Sequence, residues 1–307
     1  MSVEEDERAD GAPAKVGIVV RTKDRPLMLA RALRDVAEQR FTNWTIVIVN
    51  DGGDEAAVER LIEEMPAVQR ARVSVVHHER SQGRSAAANA GIRALGTEYV
   101  VLHDDDDLWH ADFLQLATRW LDTHAEEVGV VARTEIVFES ERNGRFAETG
   151  RMPFWPSLTG INYADLLQVN RFVPIAYLYR RAIHDEVGFY REDVHAAEDW
   201  EFNLRVAARH PIGFIGDRTL AYWMQRPHTD GNLGNSMFVL ADEHEHFDRR
   251  IRDEALRAYV AAHGDGLPLF LARFVQEEIQ RQLDSRRTLG QRFVGRLQRW
   301  RRGRLTR

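Results

Sequence analysis

The 307-residue sequence contains no cysteine, which excludes both a disulfide framework and a zinc site built on cysteine. It also lacks any apolar run approaching the ~20 residues that a membrane-crossing helix needs. Residues 1–14 are acidic and small rather than basic and then apolar, which is not the pattern of a signal peptide. We therefore expect a disordered lead-in followed by a cytoplasmic protein.

Charge is unevenly distributed along the chain, whose formal net charge is −6. Residues 281–307 contain ten arginines, the first at Arg281 and the last at Arg307, against one aspartate, so this basic tail carries about +9 and the remainder about −15. Phe293, Leu297 and Trp300 recur at helical spacing among these arginines, a pattern typical of a helix on an anionic membrane surface. Docking onto the acidic body or onto a partner protein is the alternative.

Short apolar runs alternate with helical periodicity through the first 140 residues, which predicts right-handed βαβ units. The expected fold class is therefore α/β, with a mixed, mostly parallel Rossmann-like sheet flanked by helices. Strands are predicted over residues 16–20, 46–49, 73–77 and 99–103.

Beyond residue 110 the pattern is less regular, and Asn143-Gly144 predicts a turn. Further predicted strands lie over residues 128–138, 173–179, 212–215 and 220–224, and predicted helices over 113–124 and 200–208, with an irregular segment over 152–170. From residue 241 a helical extension is expected, with a break at 264–268. The predicted domains are a lead-in (1–14), a catalytic domain (15–240, divided into 15–110 and 111–240) and the helical extension with its basic tail (241–307).

Four consecutive aspartates, Asp104 to Asp107, follow directly on the fourth predicted strand. Ligands of open α/β sheets bind at the carboxyl ends of the strands. Repulsion between clustered carboxylates would be relieved by a divalent cation. A solvated acidic loop is the alternative, but the position between a buried strand and Leu108-Trp109 favours a ligand site.

Taken in order, four sequence blocks resemble the inverting glycosyltransferases of family 2, which have the GT-A nucleotide-diphosphosugar-binding fold. The resemblance covers about residues 15–235, and a smaller match lies over residues 83–91. The blocks are Arg21-Thr22-Lys23-Asp24-Arg25-Pro26, Val49-Asn50-Asp51-Gly52-Gly53, His103-Asp104-Asp105-Asp106-Asp107-Leu108-Trp109 and Glu198-Asp199-Trp200-Glu201.

The resemblance implies a nucleotide-binding role for one set of polar residues. Asp51 would accept the imide N–H of uracil or thymine, and Arg84 would reach the base or the diphosphate. The alternatives are a turn aspartate that bonds its own backbone and an ordinary surface arginine. The implied set is Thr22, Asp24, Asp51, Arg84, Asp104 and Asp105.

Metal and catalytic roles are also implied. Asp106 would bind Mn²⁺ or Mg²⁺ together with the diphosphate, although a run of identical residues leaves the register open by one position. His228, in a loop after the Tyr222-Trp223 strand, would contact the metal or the diphosphate, or is a surface histidine. Asp199 would act as the base that takes the acceptor's proton, with a helix-capping role as its alternative.

The leading interpretation is a metal-dependent inverting hexosyltransferase that uses a nucleotide diphosphate sugar, with a UDP-sugar favoured. The acceptor is expected to be a glycan or lipid-linked, with no nucleic-acid partner, and peripheral attachment to the inner face of the membrane through the tail is a hypothesis. A sugar-1-phosphate nucleotidylyltransferase would need a glycine-rich phosphate loop, which residues 21–26 lack. A non-catalytic nucleotide-binding or membrane adaptor is the third alternative. Trp155, Tyr163 and Tyr177 are candidates for stacking on a sugar, with a place in the core as the more common alternative for aromatic residues. His244 and His246 are interpreted as solvated.

Overall fold

Strands and helices alternate through the first hundred residues of the computed structural model, which describes residues 14–227 and 241–286. Helix α1 begins at Pro26, where a missing N–H costs nothing, and buries Met28, Leu29, Ala32, Leu33 and Val36 at helical spacing. The elements of this half are β1 (Val16–Thr22), α1 (Pro26–Ala37), β2 (Trp44–Asp51), α2 (Glu55–Glu63), α3 (Ala67–Arg70), β3 (Val73–His78), α4 (Arg84–Ala94) and β4 (Tyr99–Asp104).

The second half carries longer strands and shorter helices. Its elements are β5 (Leu108–Trp109), α5 (Phe113–Thr123), β6 (Gly129–Arg142), β7 (Arg145–Pro153), α6 (Tyr163–Gln168), a 3-10 turn (Pro174–Ala176), β8 (Tyr177–Arg180), α7 (Ile183–Val187), α8 (Glu198–Ala207) and β9 (Ile212–Gln225). Two helices follow, α9 (Ala241–His263) and α10 (Gly266–Arg286). The chain divides into two compact units between Asp248 and Arg249.

Within the described part of the chain, nine strands form one sheet in the order β3-β2-β1-β4-β8-β6-β9-β5, with β7 paired to β6. Strands β3, β2, β1 and β4 are parallel, β6 runs parallel to β9, and β8, β5 and β7 pair antiparallel to their neighbours. Six strands therefore share one direction, which confirms the predicted mixed and mostly parallel sheet. Strand β1 is buried along its whole length, because helices cover both faces of a parallel sheet.

Several predicted elements were wrong in detail. The strand predicted over residues 173–179 begins only at Tyr177, because Pro174 fixes its own φ and opens a 3-10 turn. The two strands predicted at 212–215 and 220–224 are one strand, β9, whose pairing with β6 shifts between Ala132 and Thr134. A bulge in the sheet accommodates the extra residues.

Strand β7 was not predicted, although its turn was. Asn143 and Gly144 both have positive φ, 53° and 75°, as a two-residue hairpin turn requires. The strand that follows is largely exposed and polar, so it has no apolar alternation to signal it. Part of the segment predicted as irregular, 152–170, forms α6.

The helical extension is interrupted where predicted. Helix α9 ends at His263 and α10 begins at Gly266, with Gly264 between them at a φ of 79°. None of the described helices combines the length and apolarity needed to cross a membrane. The predicted lead-in up to residue 13, His228, and the apolar residues Phe293, Leu297 and Trp300 of the tail lie outside the described residues.

Candidate active site

The carboxyl ends of β1 and β4 bring an arginine against the first aspartate of the tetrad. Arg21 and Asp104 are neighbours in the parallel register. The Arg21 guanidinium donates from Nε and Nη2 to the two carboxylate oxygens of Asp104, each at 2.8 Å. Burial alone would raise the pKa of Asp104, but the Arg21 charge outweighs it and holds that pKa below its usual value. Asp104 is therefore ionised and fixed in orientation.

The second aspartate is tied to the sheet. Asp105 is 1% exposed and accepts a 2.7 Å hydrogen bond from the Thr22 hydroxyl, and Arg25 lies 3.3 Å from its other oxygen. Burial and the neighbouring Asp106 raise its pKa to about 7, against the opposing Arg25 charge. Thr22 and Asp105, both predicted to bind nucleotide, thus contact each other within the framework.

The third aspartate meets two arginines from distant parts of the chain. Arg226, which is 1% exposed, donates to Asp106 at 2.6 Å, and Arg25 donates at 3.2 Å. Arg226 also donates to Glu139 at 2.6 Å, and Glu139 in turn pairs with Arg31 at 2.7 Å. These residues define a buried arginine–carboxylate network that fixes the position of Asp106.

The fourth aspartate is structural. Asp107 accepts a 2.8 Å hydrogen bond from the backbone N–H of Met224 in β9. Burial, followed by the nearby Asp106 and Asp104 charges, raises its pKa well above the usual value. The tetrad is thereby attached to β9.

Asp51, at the end of β2, organises the loop between β3 and α4. Its two oxygens hydrogen-bond the His78 ring at 2.8 Å, the Ser81 hydroxyl at 2.6 Å and the backbone N–H groups of Gln82 and Gly83 at 2.8 and 3.0 Å. Burial would raise its pKa, but these hydrogen bonds together hold it below the usual value. The carboxylate is ionised and pre-oriented at the carboxyl edge of the sheet.

Asp24 and Arg84 have different partners near this edge. Asp24 is exposed, has a φ of 54°, and accepts a 2.9 Å hydrogen bond from the backbone N–H of Asp54. Arg84 opens α4 and pairs through Nε with Glu198 at 3.2 Å. Arg84 therefore joins the first half of the sheet to the start of α8.

Asp199 lies in the first turn of α8, two residues after Ala197, which adopts a left-handed φ of 62°. Its carboxylate accepts a 2.8 Å hydrogen bond from the side chain of Asn170. Burial and then the adjacent Glu198 charge raise the pKa of Asp199 to about 6. A carboxylate with this pKa can accept a proton near neutral pH, which a general base must do.

One cavity, of about 410 Å³, collects part of the predicted set. Arg84, Asp104, Asp106 and Asp199 line it, whereas Thr22, Asp24, Asp51 and Asp105 do not. Its volume lies within the range of roughly 300–1,000 Å³ usual for small-molecule sites. The structure therefore joins the predicted base and the predicted metal ligand in one chamber.

Several residues of the cavity wall were not predicted from the sequence. Trp155 lines it as predicted, but Tyr163 is 41% exposed on α6 and Tyr177 is buried at 2% in the core. Phe154 and Trp223 pack edge-on against each other at 5.3 Å and also line the cavity. The interpretation of His244 as solvated was wrong, because it is half-buried and lines the cavity.

The carboxylate oxygens of Asp104 and Asp106 are the ligands that Mg²⁺ and Mn²⁺ prefer. Asp106 keeps 13% of its side chain exposed on the cavity wall, whereas both oxygens of Asp104 are bonded to Arg21. Among residues 14–227 and 241–286, no three His, Cys, Asp or Glu side chains converge as a metal cluster. The donor chemistry and partial exposure of Asp106 fit a divalent cation.

A mixed α/β sheet with carboxylates at its strand ends and a cavity beside them has its ligand site where open α/β sheets usually have one. The family model for glycosyl transferase family 2 matches residues 17–188. The uncharacterized glycosyltransferase YwdF of Bacillus subtilis is 33% identical over 209 residues, which are 68% of this chain and 74% of that protein. The chain belongs to glycosyl transferase family 2, as its motifs predicted.

Solved structures agree on the fold. The Staphylococcus aureus TarS fragment 1–349 in complex with UDP-GlcNAc has a TM-score of 0.57 and 17% identity, covering 82% of this chain and 75% of that one. A mannosyltransferase of Pyrobaculum calidifontis, in complex with GDP-Man and Mn²⁺, has a TM-score of 0.51 and 18% identity over 88% of this chain and 83% of that one. The chain spans 44% of full-length TarS, a poly(ribitol-phosphate) beta-N-acetylglucosaminyltransferase, with 23% identity. These likenesses confirm the predicted GT-A fold.

Proposed function

We propose that this glycosyltransferase moves a hexose, with inversion, from a nucleotide diphosphate sugar to an acceptor hydroxyl, with a UDP-sugar favoured as donor. The observation that carries the proposal is the shared cavity of Asp106 and Asp199, two carboxylates held in different environments. Asp106 is paired with arginines, whereas burial and Glu198 raise the pKa of Asp199 to about 6. Asp106 is suited to bind the cation that neutralises an anionic ligand, and Asp199 is suited to accept a proton.

The donor half, residues 15–110, would hold the nucleotide, and the half over residues 111–240 would supply the base and the acceptor wall. Asp51 would accept the base N–H at the edge of the sheet, in place of one of the four hydrogen bonds that it accepts within the protein. Arg84 would reach the diphosphate, since its guanidinium lies on the cavity wall. Asp104 would face the ribose.

Mn²⁺ or Mg²⁺, held by Asp106 with His228 as a further proposed ligand, would supply counter-charge for the leaving diphosphate. Asp199 would accept the proton of the acceptor hydroxyl as its oxygen bonds to the anomeric carbon. The bond from that carbon to the diphosphate oxygen breaks, and the electron pair leaves with the nucleotide diphosphate. Attack from the face opposite the leaving group inverts the anomeric centre, and Asn170 holds Asp199 in place for it.

Nucleotide binding and donor hydrolysis across UDP-, dTDP- and GDP-sugars, with Mn²⁺, Mg²⁺ or EDTA, test these roles. We expect Asp106→Asn to lose metal-dependent binding. Asp199→Asn should still bind but turn over about 10²- to 10⁴-fold more slowly, the usual range for loss of a general base. Asp217→Asn, at an exposed position of β9, is the matched control and should behave as wild type.

Failure of every nucleotide sugar to bind with any metal would reject the transferase mechanism at its first step. Binding without turnover on any acceptor would instead favour the nucleotide-binding adaptor. Equal losses in both variants would mean that the two carboxylates do not have separate roles.

We further propose that residues 281–307 attach the protein to an anionic membrane surface, near a lipid-linked acceptor. Helix α10 supports this placement, because it leads into the basic tail and leaves apolar side chains about half exposed. Leu267, Phe270, Phe274 and Ile279 are between 51% and 64% exposed. Apolar area beside arginines is the composition of an interfacial helix.

A further inference from the structure

The cavity face of β9 carries a buried amide without a partner. Gln225 is 1% exposed and lines the cavity, as does Trp223 two residues earlier. Alternate residues of a strand point to the same face, so both side chains are directed to the cavity. Neither the oxygen nor the nitrogen of the Gln225 amide has a hydrogen-bond partner among residues 14–227 and 241–286.

A buried amide in this condition is unfavourable, since it has given up its bonds to water without replacement. A second such group lies on the same cavity wall, the indole N–H of Trp155, which is also buried and without a partner in the described structure. The cavity wall therefore contains two donor groups, the Gln225 NH2 and the Trp155 indole N–H, and one acceptor, the Gln225 amide oxygen, that a ligand would satisfy.

The position of these groups indicates which part of a donor they would meet. Gln225 lines the same cavity as Asp106, which Arg226 bonds at 2.6 Å, so the amide belongs to the chamber that also contains the end proposed for the diphosphate. Asp199 lines the same cavity. In the proposed reaction the sugar ring is the group that lies between Asp106 and Asp199. Its C–H faces can pack against aromatic side chains such as Trp155 and Trp223.

We propose that Gln225 and Trp155 form a subsite for the donor sugar, in which the Gln225 amide binds a substituent that both donates and accepts hydrogen bonds, a ring hydroxyl or an acetamido group. The subsite rests on the proposed function. It assigns donor selection to the end of β9, separately from nucleotide recognition at the edge formed by β1, β2 and β4.

Donor hydrolysis in the absence of acceptor tests the subsite with the full chain. Gln225→Met removes the amide at nearly constant shape, and Gln115→Met on the exposed face of α5 is its matched control. We expect Gln225→Met to lower kcat/KM for the nucleotide sugar about 10- to 100-fold, while the Kd for UDP and the thermal midpoint stay within error or the midpoint rises. Gln115→Met should change none of these.

Monodeoxy or deacetylated donors provide a second measurement that needs no variant. Wild type should lose a similar factor on one of these analogues, and Gln225→Met should lose little more on it, because both changes remove the same contact. Unchanged hydrolysis by Gln225→Met, an equal loss of UDP affinity, or a loss seen only during transfer to an acceptor would each overturn the donor subsite. Failure of wild type to bind UDP or any sugar nucleotide would instead reject the proposed function.

Discussion

The ionised carboxylate of Asp199 destabilises the folded protein, because it is buried beside another acidic residue. Its ordinary pKa of 3.8 is raised to about 6, first by burial and then by Glu198. A carboxyl whose pKa is higher in the folded than in the unfolded state stabilises the fold only while protonated. That contribution is complete below the unfolded pKa and is lost as the pH rises through about 6.

Asp199→Asn should therefore increase stability while slowing turnover. We expect a gain of about 1–3 kcal/mol in the free energy of unfolding at pH 7.5, and little difference from wild type at pH 4. Urea unfolding at both pH values measures it, with Asp217→Asn as control. An equal effect at both pH values would show that hydrogen bonding, rather than the buried charge, accounts for the difference.

The same residue sets the pH dependence of activity, because only the ionised form accepts a proton. In wild type we expect kcat/KM to rise with pH through an apparent pKa near 6 and to level off above it. A rate that is flat from pH 5 to pH 8 would remove Asp199 from the role of base.

At the scale of elements, the buried network of Arg31, Glu139 and Arg226 connects α1, β6 and the end of β9. Glu139 is 5% exposed and accepts from both arginines, at 2.7 and 2.6 Å. Removing one member of a buried ion group leaves the other charges uncompensated, which costs more than a surface pair would.

Glu139→Gln should lower the free energy of unfolding by about 2–4 kcal/mol and also weaken nucleotide binding, since Arg226 would no longer be held beside Asp106. Denaturant unfolding and UDP titration measure the two effects. Glu148→Gln, on the exposed strand β7 and paired with Arg151, is the control and should leave the free energy of unfolding nearly unchanged. A stability loss of similar size in both variants would show that the buried network contributes no more to stability than an exposed ion pair.

Elements also show how far the sequence could predict this molecule. Apolar runs in the sequence located the four parallel strands, because a strand that is buried on both faces is apolar at nearly every position and needs no alternating pattern to be recognised. They could not anticipate that Pro174 delays β8, or that β9 is continuous through a bulge. Asp106 and Asp199 were predicted from their motifs and both line the cavity, whereas Asn170 and Gln225 reach it only through long-range packing that no local pattern encodes.

At the scale of the whole molecule, charge separates the chain into an acidic body and a basic tail. Full-length protein should float with anionic liposomes, and protein ending at Asp284 should not, because about nine positive charges leave with the tail. Salt of about 1 M should weaken the binding by screening it. Equal recovery of both proteins, or flotation with neutral lipid alone, would contradict the electrostatic part of the proposal.

The aspartate tetrad has a consequence for how the donor arrives. Asp104, Asp105 and Asp106 are matched by Arg21, Arg25 and Arg226, and burial raises the pKa of Asp107, so the tetrad and its arginines together carry little net charge. By themselves these side chains would exert little long-range attraction on an approaching diphosphate. We therefore expect the proposed divalent cation, rather than the tetrad, to set how strongly the rate of donor capture depends on charge.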